Sequence, residues 1–242
     1  MRSENENLEP DNTQRIYARL AGFLFLAEII LVLGSGFVLS HIEGSGTVAE
    51  TTKRIATSEH SYRAALSTVV IVTLLSALLG FALYVTLRPV DRLLAQLGMI
   101  FWLGDSFLGL VVRMCSFVSL HLYMSARTTA VGAVTPDTLA DLMHNIAGTT
   151  ENIGGILFGI GSLLFFYLFS KSGYIPRVLS YLGLAASMIW TILYFANLIF
   201  PEHHRVFRYI CLPLMAVTDV TTGFWLALFS IKHRVHRSSH SA

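Results

Sequence analysis

Charge is what this sequence has least of. Only 13% of its 242 residues are Asp, Glu, Lys or Arg, against roughly 25% in an ordinary soluble domain, and so small a share excludes that class. The formal net charge of +2 is too slight, and the bases too scattered, to build a nucleic-acid face, so no nucleic-acid partner is expected. Cysteine is scarce too. Cys115 and Cys211 fall in different apolar segments without a CxxC spacing, which excludes a disulfide framework and a zinc knuckle. Two packed thiols are expected, with a Cys115–Cys211 bridge left open because both fall at a similar depth. The first eighteen residues have no short apolar core with a cleavage site but hold Glu4, Glu6, Glu9 and Asp11, so no cleaved signal peptide is expected. No phosphate-cradling glycine loop ends in Lys-Ser/Thr and no HExxH is present. Hence no motif requires a cofactor.

What is present is apolar sequence in blocks. Hydrophobic residues make up 54% of the chain, and they predict an all-α, polytopic membrane helix bundle with six transmembrane helices. The spans are about 17–40, 62–87, 97–122, 153–170, 178–200 and 207–231; about 20 residues at 1.5 Å each match a hydrocarbon core of about 30 Å. They form a single domain, 17–231, between a polar tail at 1–16 and a basic tail at 232–242. Thr47 to Ala56 predicts a short helix in the first long loop. Thr135-Pro136-Asp137 reads as a helix start leading into the fourth span, and Pro89 is placed at the first position of the third helix. Gly155, Gly159 and Gly161 in the fourth span are spaced for close helix packing in lipid.

Counting bases sets the orientation. Ten Lys and Arg lie on the side of the termini and the two tight turns, and six on the other, so both termini are expected in the cytoplasm.

Three stretches mark membrane edges: Arg15-Ile-Tyr-Ala-Arg-Leu-Ala-Gly22, Tyr84-Val-Thr-Leu-Arg-Pro-Val-Asp-Arg92 and Ser172-Gly-Tyr-Ile-Pro-Arg177. In order and spacing the chain resembles, from about residue 15 to 230, the bacterial membrane family known as domain of unknown function 4386. The resemblance implies six helices in a bacterial inner (plasma) membrane and brings no activity or ligand set.

Four charges inside the spans, Glu28, Asp105, Arg113 and Asp219, form the expected intramembrane polar cluster. A charge at the bilayer centre costs roughly 2.5–3.5 kcal/mol on insertion scales, so each needs a partner or a function. Asp105, Gly109, Val112, Arg113 and Ser116 share one side of the third helix, which should face the bundle. One reading pairs Arg113 with Glu28 or Asp219 and leaves the other acids neutral. The leading functional reading is transport or sensing of a small solute through a polar intramembrane cavity, with proton linkage; the partners are then the bilayer and a solute or proton.

The alternative is a metal-dependent membrane enzyme at the external face, with His121, His144, His203 and His204 as candidate ligands. These histidines lack a shared helical spacing, and Asp105 lies toward the other side, so the balance leans away from an enzyme. A structural membrane subunit is the third reading.

Overall fold

A computed structural model of the chain describes residues 11–44, 48–125, 136–200, 204–229 and 231. Within them run seven α-helices: α1 (Asn12–Glu43), α2 (Val48–Thr57), α3 (Glu59–Leu87), α4 (Arg92–Ser125), α5 (Pro136–Ser172), α6 (Arg177–Ile199) and α7 (His204–Phe229). All but α2 contain a stretch long and apolar enough to cross a membrane. The molecule is an all-helical, multi-pass membrane bundle.

Consecutive long helices pack side by side, α1 on α3, α3 on α4, α4 on α5, α5 on α6 and α6 on α7, and α7 returns to α1. The six therefore close into a ring. Of these, α5 is the most buried and α1 and α6 the least. Large apolar side chains such as Phe37, Leu93 and Val178 point outward, as a lipid-facing surface requires. Short α2 lies against α1, α3 and α4 at the end away from the termini, where Arg54 donates to the carbonyls of Ile42 (3.1 Å) and Glu43 (2.6 Å). Its Ile55 is buried with Tyr62, Leu66 and Leu120.

Helix ends follow local chemistry. Glycine at 173, with φ of 68°, stops α5; the left-handed conformation there suits a residue without Cβ. Pro89 does not open α4 as expected. That helix begins at Arg92, because Asp91 accepts from the backbone N–H groups of Leu93 and Leu94, both at 3.1 Å, and so caps it. The fourth span is the far half of one helix starting at Pro136. The tail sequences 1–10 and 232–242 lie outside the described residues, but 12–16, expected in the tail, are the first turns of α1.

Two of the membrane-edge stretches, 84–92 and 172–177, meet at one end of the ring through Gln14, the residue just before the third. Gln14, 5% exposed, donates to Thr86 O at 2.6 Å and to Tyr174 Oη at 2.9 Å. From α7, Trp225 donates to Tyr174 O at 3.3 Å. This clamp ties four segments in an environment with little competing water, so Gln14→Ala is expected to lower stability by about 1–3 kcal/mol. Thermal melting in detergent measures it; an unchanged midpoint would mean that the clamp adds no stability.

Candidate functional site

Moving inward from the clamp, the core is aromatic. Phe165 and Phe169 of α5 are wholly buried with Leu79 and Leu83 of α3. A chain of rings then crosses the bundle. Phe25 of α1 stands edge-on to Trp102 of α4 (6.2 Å, 83°), and Trp102 stacks on Phe158 of α5 (5.2 Å, 20°). Phe158 meets Trp190 of α6 (5.4 Å), which stacks on Tyr194 (4.9 Å, 18°). Both indole N–H groups are satisfied, Trp102 by Ser162 Oγ at 3.1 Å and Trp190 by Gly155 O at 2.9 Å. The small residues of α5 allow this. A methyl group on Gly155 would run into the Tyr194 ring, and one on Gly159 would come within 3.0 Å of Trp190.

Directly above this layer stand the acids. Glu28 is three residues beyond Phe25, and Asp105 three beyond Trp102, about 4.5 Å further along each helix. Asp219 comes from α7, which α1 approaches at Gly22 and Gly223. The charges of both Asp219 and Asp105 reach Glu28, so carboxyls on α7 and α4 lie within electrostatic reach of the one on α1. Asp105 faces α5: a methyl group on Gly154 would lie 2.8 Å from its Oδ1. Glu28 Oε1 and Asp219 Oδ1 are shielded from solvent and have no hydrogen-bond partner among the described residues. One turn along α7 from Asp219, Thr222 is wholly buried with its Oγ1 also unpartnered.

Arg113 stands apart from that group. It lies eight residues beyond Asp105, about 12 Å of rise, and the groups whose charge reaches it are Glu151 of α5 and Tyr62 of α3. Among the described residues no ion pair joins it to Glu28 or Asp219; the pair formed there is Glu59–Arg63 on α3, at 2.7 Å. The expected pairing of Arg113 across to α1 or α7 therefore does not form. The charge of Glu151 also reaches Asp105. Glu151 itself is exposed on α5. On the side of α4 expected to face inward, Gly109 abuts Thr73 of α3 at 3.1 Å for an added methyl, Val112 is buried, and Ser116 bonds back to Val112 O at 3.0 Å.

The histidines do not gather. His121 and His144 are exposed, His203 lies outside the described residues, and His204 opens α7 with its side chain outside them. No group of three His, Cys, Asp or Glu side chains converges as metal ligands among the described residues. Cys115 is a buried free thiol, which removes the bridge left open above; the Cys211 side chain lies outside the described residues.

A family model described as Domain of unknown function (DUF4386) matches residues 20–229. The chain belongs to that family. No curated protein and no solved structure matches it. Two of the membrane-edge stretches of this DUF4386 protein, at 84–92 and 172–177, meet in the Gln14 clamp, where they serve packing. Glu28 Oε1 and Asp219 Oδ1, by contrast, have no such partner among the described residues.

Proposed function

We propose that this DUF4386 protein carries or senses a small solute, with proton linkage through Glu28, Asp105 and Asp219, in the bacterial inner membrane with both termini cytoplasmic. What supports the reading is that buried oxygens of Glu28 on α1 and Asp219 on α7 lack hydrogen-bond partners among the described residues, and that the charges of Asp219 and of Asp105 on α4 act on Glu28. Burying a polar atom without a partner costs about 1–3 kcal/mol, and intramembrane acids of this kind mark ion and proton pathways. Of the other charged groups, Glu151 on α5 acts on Asp105. Proton uptake by the acids would change the net charge that this set presents to a solute. The orientation rests on the excess of bases at the terminal side.

Proton flux tests this. Proteoliposomes loaded with a pH-sensitive dye are given an acid jump, with valinomycin and potassium to dissipate membrane potential. The expected result is flux above that of empty liposomes, cut at least tenfold by Glu28→Gln, Asp105→Asn or Asp219→Asn in variants that still melt cooperatively. Flux no greater than that of empty liposomes would contradict the reading.

A further inference from the structure

The two ends of the ring use their bases differently. At the end away from the termini, Arg54 spends its donors on the carbonyls of Ile42 and Glu43 and on Thr51 Oγ1 at 3.2 Å, and Arg63 is paired with Glu59. At the end that holds the Gln14 clamp, the bases come in three pairs. Arg15 and Arg19 lie one turn apart on α1, Arg88 and Arg92 flank the α3–α4 turn, and Lys171 and Arg177 flank the α5–α6 turn; all of them are exposed. Among the described residues Arg19, Arg88, Arg92, Lys171 and Arg177 form no ion pair. The acids placed near them are Asp11 and Asp91, and Asp91 is occupied as the cap of α4.

Outward apolar surface begins beside each pair. Leu20 follows Arg19, Leu93 follows Arg92 and Val178 follows Arg177; all three are exposed, Leu93 by 67% and Val178 by 81%. Unopposed positive charge bordering a lipid-facing surface matches a phospholipid, whose phosphate sits above its chains. We propose that the three basic pairs bind the headgroups of anionic phospholipids, with the acyl chains lying on the outward faces of α1, α4 and α6. Charge complementarity selects the net-negative headgroup, because the ammonium of a zwitterionic one cancels the attraction of its phosphate. The apolar neighbours select a lipid over a free phosphate ester, which would meet only the charged part of the surface. This inference is independent of the solute reading.

The full chain is titrated in detergent micelles with equal amounts of phosphatidylglycerol and phosphatidylcholine of distinguishable mass, and native mass spectrometry counts each protein–lipid complex. Phosphatidylglycerol is expected to bind about fivefold or more tightly, the factor that one base near an anionic headgroup supplies. Combining Arg88→Gln, Arg92→Gln, Lys171→Gln and Arg177→Gln should bring that preference below about twofold, and the charge-keeping Arg88→Lys, Arg92→Lys, Arg177→Lys variant should retain it. Lys53→Gln with Arg63→Gln, at the other end, should leave it unchanged. Glycerol 3-phosphate in large excess should not displace the lipid. Equal binding of the two lipids by the native protein would overturn the proposal. So would a preference that survives the four glutamines or is lost with Lys53 and Arg63, since the headgroups would then sit elsewhere. Displacement by glycerol 3-phosphate would also overturn it, by showing that the bases bind a soluble anion.

Discussion

Gly22→Leu is expected to destabilise the protein by about 3 kcal/mol or more and to abolish flux. Even the first added carbon would lie 2.7 Å from Gly223 O and 2.9 Å from Ala227 Cα. These are backbone atoms, which cannot rotate out of the way as a side-chain tip can, so α1 and α7 must separate. Overpacking alone costs about 1–3 kcal/mol, and separation also forfeits the close packing that holds helices together in lipid. The same movement takes Glu28 away from Asp219, because both lie within two turns of this contact. Gly34→Leu is the control. It lies on the same helix with open space beside it, and replacing a helical glycine there should be neutral or stabilising by up to about 1 kcal/mol. Melting both variants in detergent by circular dichroism tests the contrast; equal midpoints would contradict the closed ring.

Removing the acids should act in the opposite direction. Glu28→Leu and Asp219→Leu each eliminate a shielded oxygen that has no partner, a feature that costs about 1–3 kcal/mol. The double variant is therefore expected to melt above the native protein while losing proton flux entirely. A gain in stability coupled to loss of activity identifies groups retained for function at a cost to folding. A lower melting midpoint for the double variant would instead mean that the carboxyls hold the ring together.

Hydropathy made the six long helices readable, since they follow from counting along apolar runs. It carried no information on how each helix rotates within the ring. That is why Arg113 was matched to Glu28 and Asp219, whereas the carboxylate whose charge reaches it is that of Glu151. The aromatic floor was equally hidden. Phe25 and Trp102 are buried against each other whereas Phe37 and Phe107 face outward, yet all four are simply apolar residues within spans. Gln14 escaped notice because a polar residue before an apolar block resembles a tail until its partners Thr86 and Tyr174 are in place. Pro213, inside α7 six residues before Asp219, was passed over for the same reason: a hydropathy window averages away a residue that cannot donate to the helical ladder.

The account's central claim is that the acids form a group of their own and are not counterions to Arg113. A double-mutant cycle of thermal stability in detergent measures this most directly, combining Arg113→Gln with Glu28→Gln and with Asp219→Asn. The account predicts coupling within about 0.5 kcal/mol for both pairs, as expected of sites that do not touch. Rescue of Arg113→Gln by either acid variant, with coupling above about 1 kcal/mol, would reveal a structural ion pair and contradict it.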